Sequence, residues 1–538
     1  MSKWRGNPWA VLITLSLGFF MTLLDLTIVN VAIPSMIDKL HASLDEVLWI
    51  TNAYILVLAV LLITAGRLGD LWGKKNLFVI GVVVFTLSSL ACGIAQDPTQ
   101  LIAARAVQGL GAALLMPQTM SIIIATFPPA KRGAALGVWG AVAGVSTIAG
   151  PTVGGLLVTS FDWRWIFFVN LPIGIIVLAM ALPILPGHTP GVRHKFDVLG
   201  VVIATAALFC LVFALTEGQK YDWGAGIWAL IGAAAVLLVL FLVQQRSRQD
   251  REPLVPFALF KDRNFAILCF VGAAVSVGML GMFLPMNIYL QSVLGFSALK
   301  AGLVMAPSSV VSMFLAPVAG KLTDKVGGRF ILMGGLVLYG IGMLWMLAVA
   351  GTDTSWTAFL GPLVVSGIGV GGVFAPMATE ATRNVPPRLA GAASGVNNTI
   401  RQVGSVLGAA AVGAILQNQL ASSLKSEAVT RAQGLPQPYH DKFVAGFSQA
   451  AKGGMEVGAS QHSAGQKLPP GTPANVAHQI QGLAGQVFSH GFVHAMKPTM
   501  LMPVVVVMVG AAACLAVKRY RAPEASDTVQ PEAAPAAH

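Results

Sequence analysis

Along most of this chain, apolar residues neither alternate with polar ones nor recur at a helical period; they run on for about twenty positions at a time. Such runs lie near 10–33, 47–66, 77–95, 100–124, 133–159, 163–185, 197–216 and 225–243, and again near 264–290, 300–320, 330–349, 356–378, 389–416 and 497–517. Each is long enough to cross a bilayer core of about 30 Å as one helix. The pattern predicts an all-α polytopic membrane protein with fourteen transmembrane helices. The first run is too long for a signal-peptide core and no small-residue cleavage site follows it, so it is expected to stay in the mature chain.

Polar positions inside the runs are few, and the first run holds the most costly of them. Asp25 sits in its middle, and at about 100° per residue Thr14, Gly18 and Thr22 share its side of the helix. A carboxylate in a span faces a partner or a water-filled cavity. It is either a protonatable site in a transport path or a hydrogen-bond anchor between helices. Depth supplies a partner. Counting about 1.5 Å per residue, Asp25 in the first span and Arg105 in the fourth reach the same level. A carboxylate set between a cation and oil is pulled two ways and can exchange a proton when the cavity changes sides. Arg401, with Asn397, Asn398 and Gln402 nearby, forms a second mid-membrane polar cluster. It is either a substrate contact or a packing anchor.

Charge fixes orientation. Only 10% of the 538 residues are charged, against about 25% in an average soluble protein. Alternate connections carry Lys3/Arg5, Arg67/Lys74/Lys75, Lys131/Arg132, Arg193/Lys195, the run from Arg246 to Arg263, Lys321/Lys325/Arg329, Arg383/Arg388 and Lys518/Arg519/Arg521. The opposite short loops hold only Lys39, Arg164, Lys220 and Lys300. The positive-inside rule then places both termini in the cytoplasm. Because the +12 charge is spent on these loops, it indicates membrane lipids as partners and no nucleic acid. The four cysteines lie inside apolar runs at no metal or disulfide spacing.

An internal repeat follows. Gly66 to Lys75 (GRLGDLWGKK) is echoed by Gly320 to Arg329 (GKLTDKVGGR), offset 254, and Phe127-Pro128-Pro129 with Gly133 to Gly137 by Val385-Pro386-Pro387 with Gly391 to Gly395, offset 258. Nearly equal offsets imply a duplicated half, as in many secondary transporters. The expected domains are a six-helix bundle over 1–190, two inserted helices over 191–250, and a second six-helix bundle over 251–517. Residues 417–496 read as a polar external loop, in which Val476, Ile480, Leu483 and Val487 suggest a short amphipathic helix on the protein or membrane surface. His490 and His494 have no evident third ligand, so no metal is assigned. The tail over 518–538 is expected to be disordered.

Four stretches resemble the major facilitator superfamily and, within it, the fourteen-span drug:proton antiporters. They are Leu24 to Pro34 (LDLTIVNVAIP), Gly66 to Lys75, Leu101 to Gly111 (LIAARAVQGLG) and Gly144 to Gly155 (GVSTIAGPTVGG). The resemblance implies a latch between halves at Arg67, Asp70, Lys74, Lys321 and Asp324; the alternative for those charges is plain topology signalling. Asp70 is expected near a helix start, where unpaired N–H groups favour it. Gly150, Pro151, Gly154 and Gly155 form an expected hinge in helix five, or else a dimer face. The second half carries Ala409 where the first has Pro151.

The resulting expectation is a proton-coupled exporter of amphiphilic drugs working by alternating access, with Asp25 and Arg105 as the proton-coupling site. Candidate substrate contacts are Asp25, Asn30, Met116, Phe283, Met286, Tyr289, Asn397, Asn398, Arg401 and Gln402. Met and aromatic positions also serve as plain packing. Two buried arginines against one aspartate suit anionic or zwitterionic cargo. No Gly-x-x-x-x-Gly-Lys-Ser/Thr is present, so the proton gradient, not ATP or a bound cofactor, is the expected energy source. No nucleophile–base pair at motif spacing suggests an enzyme. The alternative is an exporter or importer dedicated to one metabolite; the chain is treated as a monomer.

Overall fold

The structure, a computed structural model, describes residues 7–518 apart from 41, 43, 188–196, 219–220, 251–252, 387–388, 434, 436 and 453–473. The expected disordered tail, beyond Lys518, therefore lies outside the described residues. The chain opens with α1 (Pro8–Leu40), α2 (Leu44–Trp72), α3 (Lys74–Ile94), α4 (Pro98–Thr126) and α5 (Pro129–Ser160). A short α6 (Trp165–Phe168) leads into α7 (Asn170–Ile184), followed by α8 (Val198–Glu217) and α9 (Ala225–Ser247). After the single turn α10 (Ala258–Lys261) come α11 (Arg263–Ile288), α12 (Ala298–Val326) and α13 (Arg329–Val349). The last group is α14 (Leu360–Gly371), α15 (Phe374–Thr382), α16 (Ala390–Ala432), α17 (Gln437–Lys452) and α18 (Ala474–Ala513).

Local chemistry sets several of these boundaries. Asp97 accepts a hydrogen bond from the Gln100 amide at 2.8 Å, with Pro98 at the first helical position of α4. Asp262 caps α11 and Ser297 caps α12 in the same way. Gly73 joins α2 to α3 at φ 94°, a conformation that favours glycine, and Gly327 separates α12 from α13 at φ 85°.

Thirteen described segments are long and apolar enough to cross a membrane. Two of them are composite: α6–α7 act as one span (Trp165–Ile184), and α14–α15 as another (Trp356–Thr382). The remaining expected span is α5, whose 32 residues are rich in glycine; it lies between α1 and α12. Hydrophobic packing falls into separate clusters. Two draw almost entirely on Ala10–Leu185, and the largest draws on Leu268–Val517. The pair α8–α9 packs on itself, and Val212 of α8 meets Leu56 and Val60 of α2 and Val406 of α16.

The external loop is where the structure departs from expectation. Its ends are extensions of the flanking spans: α16 continues to Ala432 and α18 begins at Ala474. Forty-three residues of α16 extend about 64 Å, roughly twice a bilayer core. Leu416, Leu420, Leu424, Ala428 and Ala432 recur every fourth residue and share one core with Phe443 and Phe447 of α17 and Ile480, Val487 and Phe488 of α18. The stretch from Ile480 to Val487 is thus the buried seam of a projecting helical bundle, not a separate helix lying on a surface. Polar composition suggested a loop, but Ala, Gln and Leu are good helix formers, and one apolar position per turn suffices when a partner helix is present.

Two seams join the segments before α8 to those after α9. Along α5 and α12, Gly137 lies so near the partner that a Cβ on it would approach Ala316 O to 2.6 Å, and one on Gly144 would approach Ser309 O to 2.9 Å. Along α2 and α16, a Cβ on Gly66 would stand 2.6 Å from Gly391 O and 2.8 Å from Gly395 Cα. Small residues let these backbones touch. Gly66→Ala should therefore push α2 and α16 apart, at a cost of about 1–3 kcal/mol to the joined arrangement. Maleimide labelling of Ser394→Cys, a position fully buried in the seam, should accelerate roughly tenfold in that background; an unchanged rate would contradict the packing described.

Candidate functional site

The level of Asp25 is also the level of Arg105, and the two meet. Arg105 Nη1 pairs with Asp25 Oδ2 and also donates to Gln108 Oε1 at 2.8 Å. Arg105 Nε donates to the Ile50 carbonyl of α2 at 3.1 Å, and the guanidinium lies 4.3 Å from the centre of the Tyr54 ring. On the other side, Asp25 Oδ1 accepts from Gln108 Nε2 at 2.9 Å and Asn170 Nδ2 at 3.2 Å. Asn170 also donates to Ser89 Oγ at 3.1 Å, and Ser89 donates to Phe167 O at 2.9 Å. Asp25, Arg105, Gln108, Asn170 and Ser89 are all 0% exposed. Arg105 Nη2 and Asn170 Oδ1 are buried with no hydrogen-bond partner.

Asp25, expected as a substrate contact as well as a proton site, is here enclosed by α1, α2, α3, α4 and α7. The reason lies in its stripe. Thr14 and Thr22 are fully buried, and Gly18 lies where a Cβ would stand 2.8 Å from the Phe78 ring of α3, so the stripe is a packing seam inside the first bundle. Gln108 and Asn170 were missed by sequence reasoning. Both left a signal: Gln108 is one helical turn beyond Arg105, and Asn170 is a lone amide in the run 163–185.

The repeated loops build a reciprocal clamp. Asp70 was expected near a helix start, but it lies two residues before the end of α2. The N–H groups it meets belong to α16: Oδ1 accepts from Gly391 N at 3.1 Å and Oδ2 from Ala392 N at 2.9 Å. Lys74 stands 3.4 Å from the same carboxylate, and Arg67 is buried beside it. Asp324, near the end of α12, accepts from Gly133 N at 2.8 Å and Ala134 N at 3.0 Å in α5. The repeat offsets map Asp70 onto Asp324 and Gly133–Ala134 onto Gly391–Ala392, so each repeat holds the N-terminal turns of a helix in the other. Lys321 is exposed.

Other candidates separate. Met286 and Tyr289 are both buried in the largest hydrophobic cluster, and the Tyr289 hydroxyl donates to Gly351 O at 2.6 Å. Phe283 and Asn30 are exposed and Met116 is half-buried. Asn398 donates to Ser394 O at 2.9 Å, and Gln402 is half-buried. The Arg401 guanidinium lies 5.0 Å from the centre of the Phe374 ring. In the expected hinge, Gly150 packs on Thr27 and Gly154 on Ile28, both of α1, while Gly155 approaches Leu299 of α12; the Pro151 side chain lies outside the described residues. His490 meets Gln486 O, and His494 stands 4.0 Å from Glu427.

Comparison with known proteins places this arrangement. The chain is 40% identical over 461 residues to an uncharacterized MFS-type transporter of Mycobacterium tuberculosis, covering 84% of this chain and 79% of that one. It is 35% identical over 417 residues to the tetracenomycin C resistance and export protein of Streptomyces glaucescens, and over 416 residues to the multidrug resistance protein Stp of Mycobacterium tuberculosis, covering 77% of each chain in both cases. The fold is shared with the human organic anion transporter MFSD10 at TM-score 0.57 and 12% identity, covering 93% of this chain and 99% of that one. The Major Facilitator Superfamily profile matches residues 15–409, and this all-helical, multi-pass membrane protein belongs to that transporter superfamily.

Proposed function

We propose that the chain is a proton-coupled exporter of amphiphilic drugs or toxic small molecules, of the fourteen-span drug:proton antiporter type. Its frame in this reading is two six-helix halves, 1–190 and 251–517, flanking α8–α9 as an inserted pair. It sits in a bacterial plasma membrane with both termini and the clamped loops on the cytoplasmic side. The observation that carries the proposal is the sealed Asp25–Arg105 pair at mid-membrane depth. Relatives named for multidrug resistance and for antibiotic export support the cargo class. A relative named for a single compound also favours the second reading, an exporter or importer dedicated to one metabolite.

The coupling runs through α2. While Asp25 is ionised, Arg105 is neutralised and its Nε holds the Ile50 carbonyl. Protonating Asp25 leaves the guanidinium buried without a counter-charge, a loss on the order of 3–5 kcal/mol, and the arginine must move. Ile50 and Tyr54, which it touches, ride on the helix that ends in the Asp70 clamp on α16. A proton taken up from outside thus loosens the cytoplasmic clamp from a distance, without touching cargo. Loss of that proton to the cytoplasm restores the pair and closes the clamp over a newly bound molecule.

Two outcomes follow. Arg105→Ala strands the carboxylate and should destabilise the purified protein by about 3–5 kcal/mol, whereas the double replacement Asp25→Leu with Arg105→Met should recover most of that loss. Thermal unfolding in detergent measures both, and equal stabilities for the two variants would argue against a sealed pair. In cells producing normal amounts of protein, Asp25→Asn should abolish proton-driven efflux while leaving cargo affinity within about twofold. Undiminished proton-coupled efflux would remove Asp25 from the mechanism.

A further inference from the structure

The first half neutralises its buried arginine; the second does not. Arg401 lies eleven residues into α16, about 16 Å along the helix, which is mid-membrane depth. Its face of α16 is fixed by Ser394, whose hydroxyl donates to the Pro117 carbonyl of α4 across the α16–α4 junction at 3.1 Å. Seven residues further on is two helical turns, so Arg401 continues the same face about 10 Å deeper. Asn397 and Asn398 stand between them. Phe374, the ring beneath the guanidinium, is itself at the junction: its Cβ lies 3.5 Å from where a Cβ on Gly140 of α5 would stand. Arg401 therefore sits where the two halves face each other.

Its polar needs are unmet. Arg401 Nε, a donor, is buried without a partner. Among the described residues no carboxylate pairs with Arg401. Asp25 is committed to Arg105, Glu380 to Arg383, and Asp70 and Asp324 to the clamp. The residue as a whole is only partly buried. Gly272 of α11 makes room for it, since a Cβ there would stand 3.1 Å from Arg401 Cγ. Guanidinium stays charged, and stacking on Phe374 occupies its face while leaving its in-plane N–H edge free for a planar oxyanion.

We infer that Arg401 is the recognition site for an oxyanion on the cargo, and that the preferred substrates are anionic amphiphiles bearing a carboxylate or similar acid on an apolar body. Phe374 holds the guanidinium plane, and the charge of the cargo supplies what the protein omits. This deepens the export reading and rests on it for the direction of transport, but the binding preference is testable alone.

The test uses the full-length protein in phosphatidylcholine nanodiscs and three probes with one aromatic body: pyrenebutyrate, pyrenebutanol and pyrenebutylamine. Binding is read by fluorescence. The parent should bind the acid about tenfold or more tighter than the amine, the worth of one charge-assisted hydrogen bond. Arg401→Gln should erase that preference, and retained binding of the alcohol shows that the variant folds. Arg401→Lys should retain the sign of the preference with reduced size. Equal binding of acid and amine by the parent, or an unaltered preference in Arg401→Gln, overturns the inference. So does displacement of the acid by added phosphatidylglycerol at lipid-like mole fractions, which would assign the site to a headgroup. None of these readings depends on proton coupling, so failure of the Asp25 scheme and failure of this inference are distinguishable.

Discussion

Oil tolerates a charge only when a partner answers it, and this constraint organises the molecule. Asp25 and Arg105 answer each other inside one bundle, with Gln108 and Asn170 adding hydrogen bonds to the pair. Removing either partner is far more damaging than never having had the pair. In the proposed scheme that asymmetry is what a single proton would use: protonating Asp25 turns the pair into an orphaned cation. At Arg401 no described carboxylate answers the charge, and the proposed recognition assigns that place to the cargo.

Helix α2 touches both the ion pair and the seam, which is why the proposed coupling is routed through it. Near one end its backbone carbonyl at Ile50 and its ring at Tyr54 engage Arg105, and at the other end Gly66 and Asp70 engage α16. Glycine contacts bring the backbones together closely enough for an aspartate to reach N–H groups across the seam. The duplication then repeats the device, with Asp324 and α5 in exchanged roles. Neither clamp is a strong ion pair; each is a few hydrogen bonds to helix N-terminal turns, worth little enough to open and close.

Much of this was legible in the sequence because membrane folding leaves few options. Run length anticipates the long apolar helices, and the two offsets align the Asp70 and Asp324 loops that make matching contacts. Counting residues from each membrane face brings Asp25 and Arg105 to one level. What the sequence hid was sidedness. The stripe of Thr14, Gly18, Thr22 and Asp25 marks a polar face, but periodicity does not say whether that face meets a cavity or another helix; Phe78 and Asn170 decide it, and both are remote in sequence. Asp70 was misplaced for a similar reason, since its N–H partners are 321 and 322 residues away. Met286 and Tyr289 were read by type, and the Gly351 carbonyl that claims the tyrosine hydroxyl could not be foreseen. In the region 417–496, alanine and glutamine looked like a loop because the pattern of one apolar residue per turn has meaning only beside a partner.

The central claim is that the protonation state of Asp25 governs the seam between α2 and α16 through Arg105. The most direct measurement is the distance between spin labels at Trp72→Cys and Asn384→Cys, both exposed at the clamped end, recorded as pH is lowered. The account predicts a shift to longer distances in the otherwise unaltered protein and a pH-independent distribution when Asp25 is replaced by Asn. A pH response that survives that replacement would contradict it.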